Sequence, residues 1–242
     1  MAIVKTEAVI LKCENYRQTS KIITCYTKEF GKIKAIAKGV RDTKTKWGGA
    51  LQPMTFVLLI LYYKKSGNLH LVSNAEHYQV IENMSIYDDF DKMNVGFKII
   101  DLINISTPLE QKNTEIFKIL IDSLKILNHA TKNYYNVLLQ FELKLLKLLG
   151  FKLDLQNFTS QRIDNLSRNK YFYSFDFSNG DIKILEAMES DNVKLILSIK
   201  ILNSQQKKFE NFFNSYFSHH IEGFTFSKIN KVIESANYLT KN

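Results

Sequence analysis

The sequence predicts an α+β protein: a small five-stranded β-barrel over residues 1–80, then a mostly α-helical region over 81–242. Three observations lead there. Up to residue 80, apolar and polar positions alternate between closely spaced turn residues. After residue 84 the apolar period changes from two to about 3.6. Charge divides at the same place: residues 1–80 hold 13 Lys/Arg against 5 Asp/Glu, while the rest of the chain is nearly balanced.

The five strands are read in order. Ile3–Lys12 is rich in Val, Ile and Thr; Lys21–Thr27 follows as KIITCYT, and Gly31–Lys38 as GKIKAIAK. Met54–Lys64 is the most apolar, and Leu69–Val80 is the fifth. Gly31, Gly39, Gly48-Gly49, Pro53 and Ser66-Gly67-Asn68 punctuate them, the last reading as a tight hairpin loop. Five short strands in so little chain suit a small closed barrel, and the OB-fold is the common five-stranded form.

The helices follow. Ser85 with Asp88 three residues on marks a helix start, and the segment Asp88–Ser106 ends near Pro108. Thr114–Ala130 is a second helix. Tyr134–Leu149 is a third, with a narrow polar face of Asn136, Gln140, Lys144 and Lys147, so it should be central and mostly buried, with Gly150 ending it. Residues 155–181, with a Tyr/Phe-rich patch at Tyr171–Phe177, read as an irregular stretch with a short hairpin. Helix signals return at Asp181–Glu189, Asn192–Leu202 and Gln206–His220. In the last of these Phe209, Phe212, Phe213, Tyr216 and Phe217 form one stripe. A final helix is expected over Ser227–Leu239.

Apolar residues make up 45% of the chain, enough to bury a core, so disorder is not expected. Cys13 and Cys25 lie in strand segments without metal spacing, as expected of reduced thiols in the cytoplasm. The opening Met1-Ala2-Ile3-Val4-Lys5 lacks a basic segment followed by an apolar run, so no secretory leader is expected. The longest apolar run, Phe56–Tyr63, is far short of a membrane span.

The third strand and the loop after it carry the clearest functional signal. Ile33, Ala35 and Ala37 fall on one face, and Lys32, Lys34 and Lys38 on the other with Ile36 among them. The small apolar set suits a barrel interior, and the lysines then stand in a row outside. The following loop adds Arg41, Lys44 and Lys46 and the only tryptophan, Trp47. Cations at this density attract polyanions, and Arg17 and Lys21 extend the set. An exposed aromatic can stack on an unpaired base. Trp47 therefore has two readings, a base-stacking residue or a plug for the barrel end. A solvated strand face is the plain alternative for the lysines.

Catalytic constellations are missing from the pattern. No phosphate-loop signature and no G-x-G-x-x-G occurs. His70, His77, His129, His219 and His220 form no H-E-x-x-H motif. The one tight carboxylate cluster, Asp88, Asp89 and Asp91, lies at a helix start, where the dipole favours negative charge. The expectation is a binding protein without enzymatic activity. An RNA-binding OB module and a metal-dependent nuclease built on that aspartate cluster are the alternatives.

At this point the residues resemble a known family. Ala8-Val9-Ile10-Leu11 before Tyr16, Ile22 before Thr27, Gly31, Lys38-Gly39-Val40-Arg41 and the run from Lys44 to Leu51-Gln52-Pro53 look like the N-terminal barrel of the RecO recombination mediators. Leu145-Leu146 to Gly150-Phe151 is similar to the end of that family's central helix, and Phe209–Ser227 to its closing helix. Two departures stand out. Phe158 and Gln161 occupy the place of the first cysteine pair of the family's zinc site, and no later pair exists, so no zinc or other cofactor is expected. The 155–181 region then reads as a degenerate zinc finger, with Phe158, Tyr171, Phe172 and Phe175 as an apolar filling. Gln18 stands where an acidic residue is frequent.

The resemblance implies a DNA repair and recombination mediator of the bacterial cytoplasm and nucleoid. Such proteins bind single- and double-stranded DNA, anneal complementary strands, act on strands coated by single-strand-binding protein, and help load RecA together with RecR. Arg17, Lys21, Lys32, Lys34, Lys38, Arg41, Lys44, Lys46 and Trp47 are the DNA-binding candidates. Lys125, Lys132, Lys144 and Lys147 are the candidates for holding the acidic tail of single-strand-binding protein.

Overall fold

A computed structural model of the chain describes residues 2–42, 47–64, 69–77, 85–155 and 177–224. The first compact unit contains the described residues up to Asn128, and the second runs from His129 to Phe224.

The expected five strands are present: β1 (Ala2–Tyr16), β2 (Ser20–Thr27), β3 (Gly31–Ala37), β4 (Phe56–Tyr63) and β5 (His70–His77). They close in the order β1-β2-β3-β5-β4, with β1 completing the circle. β1 is longer than its apolar pattern suggests because it serves two neighbours. Its first half pairs with β4 and its second with β2, and a bulge between Ile10 and Lys12 lets it bend between them. β3 and β5 run parallel over three residue pairs, Ala35–Ala37 against His70–Val72. The hairpin loop expected at Ser66-Gly67-Asn68 lies outside the described residues, as do Lys44 and Lys46.

The interior follows the period-two reading. Ile33, Ala35 and Ala37 of β3 are fully buried with Ile10, Cys25 and Leu59. Both cysteines are free thiols, and burial pushes that of Cys25 up to about 12. Trp47 packs half-buried against this core.

Two helices complete the first unit, α1 (Phe90–Ser106) and α2 (Thr114–His129). The start of α1 is two residues later than expected. Ser85–Asp88 forms a separate 3-10 turn, and the Asp89 carboxylate caps α1 by accepting from the backbone N–H groups of Asp91 and Lys92 at 2.9 and 3.0 Å. Asn113 caps α2 in the same way.

The second unit is built on α3 (Tyr134–Leu148), with α4 (Asn179–Met188), α5 (Val193–Ser198) and α6 (Asn203–His220). Gly150, at φ 87°, closes α3: the Phe151 N–H reaches back to the Leu146 carbonyl at 2.8 Å. The polar face of α3 is only half solvated. Asn136 is buried and donates to the carbonyls of Ile196 and Ile199, both at 2.8 Å; Gln140 donates to that of Ser190 at 2.6 Å. The stripe on α6 is as read, with Phe209, Phe212, Phe213 and Phe217 buried. Ser178 and Asp181 form a capping box on α4. Asp181 also accepts from Gln205 and Lys208 of α6, both at 2.8 Å. The stretch 156–176, with Phe158, Gln161, Tyr171, Phe172 and Phe175, and the helix expected at Ser227–Leu239 fall outside the described residues. No helix among the described residues is long and apolar enough to cross a membrane.

Candidate nucleic-acid interface

Strand β3 carries the outward lysines, and the structure separates them. Lys34 and Lys38 are exposed on either side of half-buried Ile36. Lys34 lies on the strand, on the same face as Ile36 two residues on, and Lys38 lies in the turn just after Ala37 ends it. Among the described residues neither lysine has an ion-pair partner.

Lys32 corrects the expected row. It shares their face of the strand, yet it is buried, with 8% of its surface exposed. The segment after α1 runs beside this end of β3: Leu109 bridges to Lys32, and the Glu110 N–H donates to the Lys32 carbonyl at 2.7 Å. The Lys32 ammonium donates to the Asn104 carbonyl in the last turn of α1 at 2.5 Å. A cation at a helix C-terminus offsets the unpaired carbonyls and the dipole there. Burial, reinforced by the charge of Lys34, lowers its pKa from the ordinary 10.5 to about 8. Gly31 makes this approach possible. At φ +66°, a Cβ on it would sit 2.0 Å from the Gln111 carbonyl oxygen.

The other cations divide as well. Arg41 is exposed, but its guanidinium donates to the carbonyls of Arg17 and Gln18 at 3.3 and 3.0 Å. Its backbone N–H takes the Thr19 carbonyl at 2.9 Å. Arg41 therefore pins the β1–β2 turn, in which Arg17 adopts a φ of 53° and lies 5.3 Å from the Tyr16 ring centroid. Arg17 is exposed; Lys21 is half-buried beside Cys13. Trp47, leaning on the core, has the plug's geometry more than a free platform's.

Sequence reasoning missed two features of the same barrel. His70 is fully buried; its Nδ1 accepts from the Lys64 N–H at 3.2 Å, which leaves Nε2 facing the Glu110 carboxylate at 3.1 Å. Its ring stacks on Tyr63 at 4.3 Å, and Tyr63 stacks on Phe30 at 4.4 Å. Burial lowers the His70 pKa, and Glu110 opposes the fall. The second feature lies in the register. Ile22 opposes Ile36, Ile36 opposes Leu71, Leu71 opposes Tyr62, and Tyr62 opposes Ile3. All five point out of the barrel, none is fully buried, and Ile3 is 67% exposed. The one sequence signal for it was Ile36 standing among lysines.

The tail-binding candidates do not share one compact unit. Lys125 is half-buried on α2 of the first. Lys132, Lys144 and Lys147 belong to the second, and Lys144 pairs with Asp191 at 2.7 Å. The aspartate cluster has helix-start geometry: Asp89 caps α1, and Asp88 and Asp91 are exposed. Among the described residues no three His, Cys, Asp or Glu side chains gather as metal ligands do.

Residues 1–80 match the family model described as recombination protein O N terminal, and residues 87–228 match the one described as recombination protein O C terminal. The chain belongs to the RecO family. It is 35% identical over 150 residues to the DNA repair protein RecO of Pelodictyon phaeoclathratiforme, covering 62% of this chain and 57% of that one. Against the RecO of Salinibacter ruber it is 32% identical over 149 residues, covering 62% and 56%. Against that of Caldicellulosiruptor saccharolyticus it is 28% identical over 200 residues, covering 82% and 78%. The matched stretch thus spans little more than half the length of the first two RecO relatives.

Proposed function

We propose that this RecO-family chain is a DNA repair and recombination mediator that binds single- and double-stranded DNA on the outer face of its barrel and catalyses no covalent step. The observation that supports this most directly is the display of exposed Lys34 on the outer face of the strand whose inner face, Ile33, Ala35 and Ala37, fills the core, with exposed Lys38 in the turn that follows it. The strand and the turn that leaves it carry these cations on a folded frame, so phosphates meet charge already displayed. Annealing needs charge neutralised without regard to sequence, and ammonium groups contact phosphates in that way. Arg17 lies in the turn between β1 and β2, one of the loops through which OB-folds take hold of oligonucleotides. Lys44 and Lys46 join the set on sequence grounds.

RecR, RecA and single-strand-binding protein are the partners this reading assigns, in the bacterial cytoplasm. Lys132, Lys144 and Lys147 are the tail-binding candidates on the second unit. Asp191, nine-tenths exposed, is a partner that an incoming acidic tail can replace on Lys144. The reading uses no zinc, because Phe158 and Gln161 stand where the first cysteine pair would fall.

The test is Lys34→Glu with Lys38→Glu, read by fluorescence anisotropy on labelled single strands and duplexes and by strand annealing. Two reversed charges should weaken binding at least about tenfold near 0.1 M salt and flatten the salt slope on single strands by about 1.4. Circular dichroism should be unchanged. Unaltered affinity for both forms of DNA refutes the placement, and a strong preference for RNA transfers the reading to an RNA-binding module.

A further inference from the structure

We propose that the outward row Ile22–Ile36–Leu71–Tyr62–Ile3 is a base platform that makes the barrel favour unpaired strands. The proposal rests on the nucleic-acid reading above and adds the residues that would decide between single strand and duplex. Each member faces the next directly across the sheet, so the row crosses all five strands of the barrel. Four inter-strand steps of about 4.8 Å give roughly 19 Å. Because the sheet is closed, those steps carry the row around the wall of the barrel, a path that a flexible unpaired strand can follow nucleotide by nucleotide and a stiff duplex cannot.

The chemistry beside the row identifies the occupant. Lys34 on β3 and Lys38 in the turn just past its end flank Ile36, and exposed Lys5 lies two residues from Ile3 on β1. At its β2 end the row meets Glu14, whose carboxylate is held by Lys12 at 2.9 Å. Apolar contact surface interleaved with ammonium groups suits a polymer with flat apolar faces and a charged backbone. A protein partner is the poorer match, since lysine is depleted in protein–protein interfaces. Tyr62 is the one ring in the row, and aromatic stacking is tolerant of sequence because every base has a π-face. In a duplex those faces are already stacked, so only the lysines would be used.

Two kinds of contact should therefore separate by their response to salt. The phosphate part weakens as salt rises, and the stacking part persists. The experiment compares the full chain with Tyr62→Ser, with Tyr62→Ser plus Leu71→Ser, and with Tyr62→Phe. Binding to a labelled 20-nucleotide oligothymidylate and to a 20-base-pair duplex is followed from 0.05 to 0.5 M NaCl. The serine variants should lose roughly tenfold or more on the single strand, with salt slope and duplex affinity unchanged, and Tyr62→Phe should bind as the parent does. Single-strand affinity unchanged in the serine variants overturns the platform while leaving the DNA reading intact. So does an equal loss on single strand and duplex. A parent chain that dimerises in sedimentation, with dimers lost in Tyr62→Ser and single-strand affinity kept, assigns the row to self-association instead. A parent that binds neither DNA form overturns the function reading together with the platform.

Discussion

Replacing Lys32 with Met separates a lysine that holds the fold from the lysines that face solvent. The fall of the Lys32 pKa from 10.5 to about 8 corresponds to about 3 kcal/mol against the ammonium form in the folded protein. The methionine keeps most of the buried stem and discards that cost. It also loses the hydrogen bond to Asn104, which is worth about 1.5–3 kcal/mol when one partner is charged. At pH 7 the two effects nearly cancel, and the variant should lie within about 1 kcal/mol of the parent.

The pH dependence then discriminates. Below pH 8 Lys32 is protonated in both folded and unfolded chains, and the full penalty is present. Between pH 8 and 10.5 the folded chain has released the proton while the unfolded chain still holds it, so the parent gains stability as pH rises. Relative to Lys32→Met the parent should gain about 2 kcal/mol or more by pH 10. Taking the difference between the two proteins removes every other titration they share. Urea unfolding followed by the fluorescence of Trp47, which packs against the barrel core, reads this unit specifically. DNA affinity should stay within about twofold of the parent, because a side chain buried against a helix end contributes little to steering. A flat difference from pH 7 to 10, or a folded Lys32→Met that has lost DNA binding as Lys34→Met does, refutes this account of Lys32.

Two further outcomes follow from other close contacts. Gly31→Ala should destabilise the barrel by roughly 2–5 kcal/mol in urea, because it combines a left-handed backbone with a collision against the Gln111 backbone; Gly39→Ala, also at φ +66° but with open space around it, should cost only about 1 kcal/mol. Asp181 is held down to about 2 because hydrogen bonds from Lys208, Gln205 and Ser178 outweigh the raising effect of burial. Asp181→Asn should therefore cost the second unit about 2 kcal/mol at pH 7, a difference present above pH 4 and lost as pH falls through 2, as acid and urea titrations followed by circular dichroism would show.

The parts of this molecule legible in its sequence are those fixed by short-range period. The alternation of β3 places Ile33, Ala35 and Ala37 inside because a strand has only two faces. The stripe on α6 is equally direct, since Phe209, Phe212, Phe213 and Phe217 repeat at helical spacing. What the period leaves open is the destination of a polar face. Lys32 and Lys34 look alike along the strand, and the difference between them is made by residues 104–112, some 70 positions on. Asn136 and Gln140 read as a solvated face of α3, and the carbonyls between Ser190 and Ile199 take them instead. The Ile22–Ile3 row was illegible for a related reason. Its members belong to five different strands, and only the register brings them into line.

The buried lysines also change the meaning of the net charge. Lys32 serves the C-terminal end of α1, and Lys92, equally buried, donates to the Asn128 carbonyl in the last turn of α2 at 3.1 Å. Each places a cation at a helix C-terminus, where it offsets the dipole; at Asn128 it joins the Ser85 hydroxyl, which donates to the same carbonyl at 2.6 Å. Arg41 is committed to two turn carbonyls, and Lys21 is half-buried. Among the described residues of the candidate set, Arg17, Lys34 and Lys38 are then the cations best placed for phosphate. With Lys44 and Lys46 added from sequence the candidate set offers five, so log K on single strands should fall with log salt at a slope between about −2 and −3.5. The six contacts that seven basic residues between Lys28 and Lys46 suggest would give about −4. A measured slope of about −5 or steeper would mean that cations outside this set take part, and Lys5 of β1, then Lys132 and Lys147 on the second unit, would be the first to replace.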